Sequence, residues 1–250
     1  MYTKVKTLEE IENMRIAGKM LATVLQHVKN RATAGMSTQD LADRAHAELK
    51  KLGGAPSFLH YQGFPDVLCV SVNDEVVHGI PNKLNVLENG DIVSIDFGVT
   101  YKGMVTDAAL TFTIGTVDPK VKKLISTTER ALMAGIDVLK AGVRVGDIAS
   151  AIQKVLDHGG YGIVRDLVGH GVGHALHEDP NIPNYGHAGS GPVLQAGMTI
   201  AIEPMATLGD WHVEQDNDGW TIRTRDRSLA AHFEHTILIT EKGYEILTEV

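Results

Sequence analysis

The sequence predicts an α+β fold built from two similar halves. The first observation is an internal repeat, in which residues 34–42 recur in outline as residues 141–149 at an offset of 107 (142 − 35 = 107). At the same offset residues 90–96 correspond to residues 197–203, so an apolar strand in each half ends in a carboxylate. The second observation is that helical periodicity precedes strand-like segments in each half, an order typical of α+β rather than parallel α/β proteins.

The first half starts with a predicted helix at 8–30, where apolar residues recur every three or four positions. Ser37 is followed three residues later by Asp40, which predicts a capped second helix at 38–52. Three strands are expected after it, the last of them interrupted near Asp107: 67–72, 91–97 and 104–114.

The second half repeats this order, with helices predicted at 119–140 and 145–158. Asp218-Gly219 is a typical hairpin turn between two strands. The strands expected in this half are 198–203, 211–215, 220–224 and 233–239. We therefore predict a single domain over residues 1–250, with halves of about 1–115 and 116–250.

Composition narrows the class of protein. A net charge of −8 argues against a dedicated nucleic-acid binder, although Arg223, Arg225 and Arg227 form a local basic group. Cys69 is the only cysteine, so no intramolecular disulfide can form, which fits a reducing compartment. Neither a signal-peptide apolar region nor a run long enough to span a membrane is present, and we expect a cytoplasmic protein.

Four carboxylates and one histidine stand in apolar or glycine-rich surroundings, where an unpaired acid is costly to bury. This candidate ligand set consists of Asp96, Asp107, His170, Glu203 and Glu234. It exceeds what one divalent ion needs and suits two ions a few Å apart with bridging carboxylates. Its oxygen-rich chemistry favours manganese, iron(II), cobalt or zinc over a thiolate-type zinc site.

The histidines near this set fall into different classes. Glycines flanking His170 disfavour a helix, so the segment is not the helical zinc motif that His177-Glu178 superficially begins. His174 is the expected bystander, and His235 should face away from Glu234 on a strand. A lone histidine such as His78 is more often a packed or surface residue than a functional one.

In this order, these residues resemble the methionine aminopeptidases of type I. The resemblance covers nearly the whole chain, and four stretches carry it: 71–81, 95–98 with Asp107, 169–180, and 202–204 with 234–236. It implies the pseudo-two-fold "pita-bread" fold, as a single catalytic domain. It also implies a hydrolase that removes the initiator methionine from nascent proteins and peptides through a metal-activated hydroxide.

The resemblance also implies roles for individual residues. The candidate ligand set would hold two metal ions, with Asp107 and Glu234 bridging them. Glu203 would serve as general base, because it can touch both a metal and the attacking water. His177 would donate a hydrogen bond to the developing oxyanion, and His78 would hold the substrate backbone.

A substrate pocket follows from family position, and it should fit an unbranched thioether side chain. Its expected lining is Tyr61, Phe64, Cys69, Leu176 and Trp220, with Phe58 at the edge. Phe64, Leu176 and Phe58 stand where tyrosine, phenylalanine and a small residue are frequent, and Gln62 replaces a frequent histidine. These departures bear on fine specificity, since a bulky Phe58 would narrow the pocket or restrict the residue after methionine.

Three alternatives stay open. An X-Pro dipeptidase would share the ligand set, but its large N-terminal domain does not fit in the 77 residues before His78. A catalytically silent binding module on the same fold would be expected to lose ligands. Ordinary ion pairs would not explain acids at matching positions of a repeat.

The type II enzymes carry a helical insertion, for which the 26 positions from His177 to Glu203 (203 − 177 = 26) leave little room. The expected partners are nascent N-termini with a small second residue, and the ribosome. No sequence feature demonstrates binding to the ribosome. We expect a monomer that binds neither DNA nor a membrane.

Overall fold

The computed structural model of the protein describes residues 5–249. Over that range it has four α-helices: α1 (Leu8–Lys29), α2 (Thr38–Leu52), α3 (Pro119–Asp137) and α4 (Val145–Gly159). The strands of the first half are β1 (Ala55–Pro56), β2 (Cys69–Val72), β3 (Glu75–Val77), β4 (Ile92–Tyr101) and β5 (Met104–Thr113). The second half has β6 (Gly162–Ile163), β7 (Gly169–Gly171), β8 (Glu178–Ile182), β9 (Thr199–Ile202), β10 (Met205–Thr207), β11 (Val213–Gln215), β12 (Ile222–Thr224), β13 (Ala230–His232), β14 (His235–Ile239) and β15 (Tyr244–Ile246).

The repeat seen in the sequence is also a repeat of structure. Helices α2 and α4 begin and end at the same offset (145 − 38 = 107; 159 − 52 = 107), and so do the first residues of β4 and β9 (199 − 92 = 107). Each of these helices ends at a left-handed glycine, Gly53 or Gly160. An isolated strand bridge before each helix, Ser37 to Val86 and Arg144 to Val193, repeats the offset as well.

The N-terminal capping interactions of α2 and α4 are similar but not identical. Before α2 the Ser37 side chain accepts the Asp40 N–H, and Asp40 accepts the Ser37 N–H in return. Before α4 the capping residue is Arg144, whose side chain makes no capping bond. Asp147 still accepts the Arg144 N–H at 2.9 Å, so α4 keeps one of the two hydrogen bonds of a capping box.

Two sheets form the centre of the molecule. In the first, β4 pairs antiparallel with β1, β2 and β5, and it is joined to β5 by a tight hairpin. In the second, the strand order is β15-β14-β9-β7-β8. Two smaller sheets, β13-β10-β6 and β11-β12-β3, lie beside them.

The two central sheets meet where β5 runs beside the start of β14. Ala109 and Glu234 exchange both backbone hydrogen bonds, with N···O distances of 3.3 and 2.9 Å. The Thr236 hydroxyl accepts the Asp107 N–H and donates to the Asp107 carbonyl. This seam places a residue of the first half directly beside a residue of the second.

Each half has its own hydrophobic core between its helices and its sheet. The first core includes Leu21, Leu41 and Phe97. The second includes Leu132 and Ile200. A smaller apolar cluster lies apart from both: Phe58, Phe64, Cys69, Val105, Val172, Leu176 and Ala201. The helices therefore cover the sheets and leave this third cluster free to shape a pocket.

The predicted α+β class with helices before strands in each half is confirmed, and two details of the elements are wrong. The strand expected at 104–114 is continuous, since Asp107 pairs with Gly98 inside the β4–β5 ladder. The helix expected at 119–140 ends at Asp137. In residues 5–249, no helix combines the length and apolar character that crossing a bilayer requires.

Candidate active site

Asp96 and Asp107 come from neighbouring strands of one hairpin. In the β4–β5 ladder Asp96 lies opposite Ala109, two residues from Asp107. Because strand side chains alternate with a period of two, Asp107 and Ala109 point to the same face as Asp96. Repulsion from Asp96 contributes to raising the pKa of Asp107, which is consistent with that placement.

Glu203 and Glu234 are brought together by the second sheet. Ile202 at the end of β9 pairs with His235 at the start of β14. Continued by one step, that register would place Glu203 opposite Glu234, and repulsion from Glu203 contributes to raising the pKa of Glu234. The Glu234 backbone is held to Ala109 at the seam, so this carboxylate reaches the pair on the β4–β5 hairpin.

His170 lies at the centre of β7, paired with Ala201. Its Nδ1 lies 2.9 Å from the Gly171 carbonyl, and a carbonyl only accepts, so Nδ1 carries the proton. The Nε2 lone pair therefore faces the acids, 3.6 Å from Glu203 Oε1 and 3.9 Å from Asp107 Oδ2. Burial lowers the pKa of His170 to about 3, which keeps the ring neutral.

The acids are strongly perturbed by this crowding. Burial raises the pKa of Asp96 to about 7. Burial, together with repulsion from neighbouring carboxylates, raises the pKa of Asp107, Glu203 and Glu234 well above the usual range. Four acids in one place are thus unstable as anions unless a positive charge joins them.

The residues present fit a divalent metal. One oxygen or nitrogen from each of Asp107, His170 and Glu234 lies within 4.8 Å of the others. Asp96 Oδ1, Asp107 Oδ1 and Glu234 Oε1 are buried without a hydrogen-bond partner. A bare imidazole nitrogen aimed at carboxylate oxygens is repulsive unless a cation lies between them, and oxygen with imidazole is a usual donor set for such ions.

His177 lies beside this cluster and contacts both a ligand candidate and the pocket. Its ring packs edge-on against His170 with centroids 4.3 Å apart. Its Nδ1 lies 2.8 Å from the Tyr61 hydroxyl, and burial lowers its pKa. A neutral imidazole has one N–H. Whether the Tyr61 hydroxyl donates to Nδ1 or accepts from it therefore determines which ring nitrogen carries the proton.

His78 follows β3 with a left-handed backbone, at φ 61°. Such a conformation is uncommon for a residue with a side chain and often marks a functional position. Burial and the neighbouring His177 lower its pKa to about 4. Its ring lies edge-on to Trp220, with centroids 6.4 Å apart.

A cavity of about 210 Å³ joins the acids to apolar side chains. Its lining includes every residue predicted for the substrate pocket: Phe58, Tyr61, Phe64, Cys69, Leu176 and Trp220. The same cavity is lined by His78, His177 and all five candidate ligands. The residues are therefore together in space, while their roles stay predictions.

Two aromatic residues of this lining are fixed by close packing. Phe58 packs directly over Gly98, where an added methyl carbon would lie only 2.7 Å from the Phe58 ring. The Phe64 ring meets Trp220 edge-on at 5.2 Å. Gln62 also lines the cavity. Three further lining residues were not predicted from the sequence: Val77, Leu167 and Val168.

The remaining histidines near the cluster have other partners. His174 Nε2 lies 2.8 Å from Glu10 Oε1, away from the cavity lining. His235 Nδ1 lies 2.9 Å from the Thr248 hydroxyl. Neither ring is in the cavity lining, and their expected lack of a role at the site stays a prediction.

Two features were missed by sequence reasoning. Lys6 and Glu178 form a fully buried ion pair at 2.7 Å, and Glu178 directly follows His177 in the chain. His232 is 1% exposed, and its Nε2 lies 3.6 Å from Glu203 Oε2. Its spacing of two residues from Glu234 was the available signal, because alternate residues of an extended chain share a face.

Comparison with known proteins gives a consistent family. The model of metallopeptidase family M24 matches residues 12–241. The chain is 46% identical to a methionine aminopeptidase of Clostridium acetobutylicum and 45% identical to methionine aminopeptidase 1 of Bacillus subtilis, each match covering 98% of both chains.

Solved structures give the same picture. A methionine aminopeptidase from Thermotoga maritima superposes with a TM-score of 0.98 at 48% identity, covering 99% of this chain and 100% of that one. A prolidase from Pyrococcus furiosus reaches 0.79 at 25% identity, with coverage of 98% of this chain and 65% of that one.

Proposed function

The chain belongs to metallopeptidase family M24, and we infer that it is a metal-dependent aminopeptidase that removes the N-terminal methionine from proteins and peptides. The observation that carries this function is one cavity shared by an acid–imidazole cluster and an apolar lining. Hydrolysis needs the first, and recognition of a thioether side chain needs the second.

We propose that the candidate ligand set would hold two divalent ions, with Asp107 and Glu234 able to contribute an oxygen to each. Manganese, iron(II), cobalt and zinc all accept this set of oxygens with one imidazole. Bound ions supply an acidified water and polarise the scissile carbonyl. The lone pair of His170 Nε2 and the three orphaned carboxylate oxygens support the assignment.

Glu203 is the proposed general base. Burial and repulsion from Asp96 and Asp107 raise the pKa of its carboxyl group well above the usual range. Next to bound metal ions the group would be held as a carboxylate, so it could take a proton from the attacking water and then pass that proton to the leaving amine.

His177 is proposed to stabilise the developing oxyanion. If the Tyr61 hydroxyl donates to Nδ1, the proton of the neutral ring must sit on Nε2, which then becomes a hydrogen-bond donor. His78 is proposed to hold the substrate backbone on the leaving-group side, where its fixed left-handed backbone limits its freedom.

The remaining proposals concern the setting of the enzyme. Its substrates are proposed to be nascent chains with a small second residue, in the cytoplasm and near the ribosome. We propose a monomer, since both halves and the candidate ligand set come from one chain.

The test is release of free methionine from Met-Ala-Ser and hydrolysis of Ala-Pro-Ser. Metal-stripped protein receives manganese, iron(II), cobalt or zinc in separate reactions. Methionine release that depends on added metal, without Ala-Pro cleavage, is the expected result and also selects the metal. Ala-Pro cleavage would instead favour prolidase-type specificity, and no cleavage with any metal would favour a silent binding module.

A further inference from the structure

His232 is a polar group that the proposed chemistry leaves unused. Its side chain is buried, and neither Nδ1 nor Nε2 has a hydrogen-bond partner among the described residues. Buried polar groups are nearly always paired, so an imidazole with two unpaired nitrogens calls for a partner that the loaded site would complete.

The backbone of His232 is held firmly. The Thr111 hydroxyl donates to the His232 carbonyl at 2.6 Å and accepts the His232 N–H at 2.9 Å. Because that hydroxyl proton is already used, the Ser94 hydroxyl, 2.8 Å away, must donate to Thr111. On the other side His232 pairs with Met205 in the β10–β13 ladder.

The ring of His232 is aimed at Glu203. Glu203 stands between two imidazoles, with Oε1 3.6 Å from His170 Nε2 and Oε2 3.6 Å from His232 Nε2. These distances exceed a formed hydrogen bond. His170 also approaches Asp107, whereas Glu203 is the carboxylate that His232 approaches within 4 Å in the described chain.

This asymmetry distinguishes the two rings. His170 Nε2 lies within 4 Å of both Asp107 and Glu203, whereas the carboxylate within 4 Å of His232 Nε2 among the described residues is Glu203. His232 is therefore placed to act on Glu203 rather than on a metal. Partners of this kind orient a ligand from behind it.

We propose that His232 is a positioning residue, which donates Nε2–H to Glu203 Oε2 and so turns Oε1 toward the ligand cluster. The proposal rests on the assignment of Glu203 to the site. It needs only a small closure of a 3.6 Å gap, from a ring whose backbone is already fixed by Thr111.

The variants separate hydrogen bonding from packing. His232→Leu removes the donor and keeps an apolar bulk, whereas His232→Gln keeps an N–H donor. Met205→Leu is the matched control, because it alters packing directly opposite His232 without changing a polar group. Calorimetric titration of each metal-stripped protein with Mn²⁺ alone measures affinity independently of activity.

His232→Leu is expected to bind Mn²⁺ about 10- to 100-fold more weakly, as for other groups that orient a metal ligand. His232→Gln and Met205→Leu should stay close to the original protein. Turnover of Met-Ala-Ser at saturating Mn²⁺ should show the same order, with the loss in kcat rather than KM. Equal Mn²⁺ affinity for His232→Leu and the original protein would overturn the proposal.

A spectroscopic measurement keeps the test valid even if His232→Leu fails to fold. In a long-range ¹H–¹⁵N spectrum of the zinc-loaded original protein, with His232 assigned by its absence in His232→Gln, Nε2 should appear protonated. A bare Nε2 would refute the proposal. Failure of the proposed function is distinct, since it would appear as normal Mn²⁺ binding by the original protein without methionine release.

Discussion

At the scale of the residue, one hydroxyl bears on the position of one proton. The Tyr61 hydroxyl lies 2.8 Å from His177 Nδ1 at the mouth of the cavity. A neutral imidazole has a single N–H, so whichever group Nδ1 meets decides what Nε2 can do. Sequence reasoning put Tyr61 in the pocket lining, but only the fold places its oxygen on this ring.

Tyr61→Phe removes the hydroxyl and keeps the ring that packs against His177. We expect kcat for Met-Ala-Ser to fall about fivefold with KM little changed, because a hydrogen bond contributes roughly 1 kcal/mol. Tyr101→Phe, at the end of β4, is the control for losing a tyrosine hydroxyl. In a His177→Ala background Tyr61→Phe should add no further loss, and an additive loss would contradict the coupling.

A second residue-scale prediction concerns Phe58, the bulky residue expected at the edge of the substrate pocket. Its ring fills the space over Gly98 at the edge of the cavity. Phe58→Ala should raise kcat/KM for Met-Val-Ser relative to Met-Ala-Ser by about tenfold, a usual effect of one or two methylenes in a pocket. The ratio is measured by steady-state kinetics with the same metal, and an unchanged ratio would remove Phe58 from specificity.

At the scale of the element, the sequence predicted what local chemistry controls. Helix α2 begins and ends as its capping pair and terminal glycine indicate, and the repeat places α4 at the same offset. The short strands β7 and β8, which pair with each other, were not predicted as strands because their residues show no apolar alternation. His232 was missed although its spacing from Glu234 was an available signal, and the approach of its ring to Glu203 became visible only in the folded chain.

A buried ion pair stabilises the segment that carries His177. Lys6 Nζ lies 2.7 Å from Glu178 Oε2, and Glu178 Oε1 accepts the backbone N–H groups of His174 and Ala175. A carboxylate with these three donors defines the path of the turn that ends at His177. The chain before α1 thus contributes to a site more than 160 positions away in the sequence (177 − 6 = 171).

Lys6→Met leaves the Glu178 charge buried and uncompensated, which typically costs about 3–5 kcal/mol of unfolding free energy. We expect the midpoint of thermal unfolding to fall by about 10 °C, given the usual 2–4 °C per kcal/mol for a chain of this size. The double variant Lys6→Met/Glu178→Gln should recover much of that loss, since a neutral amide oxygen still accepts the two N–H groups. Equal midpoints for the single and double variants would show that the buried charge is not the cause.

At the scale of the whole molecule, the two halves meet where four buried carboxyl groups repel one another. The seam between β5 and β14 carries Asp107 and Glu234, and the hairpin and the second sheet add Asp96 and Glu203. Hydrophobic burial within each half stabilises a fold that holds four acids together. Metal binding is therefore expected to stabilise the whole chain, since the folded state alone assembles the donors.

This arrangement gives the metal-free protein an unusual dependence on pH. The folded pKa of Asp96 is about 7, against 3.8 ordinarily, and the pKa values of its acidic neighbours are also raised well above their ordinary range. Folded protein thus takes up protons that unfolded protein does not, so stability should rise as pH falls from 9 to 7. Below about 6.5 the buried histidines oppose this gain, because unfolding lets them protonate: His78, His170, His232 and His235.

Thermal unfolding of EDTA-treated and Mn²⁺-saturated protein between pH 9 and pH 7 tests this prediction. The midpoint of the metal-free protein should rise by several degrees toward pH 7, at about 2–4 °C per kcal/mol. With Mn²⁺ it should fall over the same range, because protons compete with the metal for the acids. Asp107→Asn removes one charge and should flatten the metal-free slope. Parallel slopes with and without Mn²⁺ would mean that the four carboxylates do not share one electrostatic site.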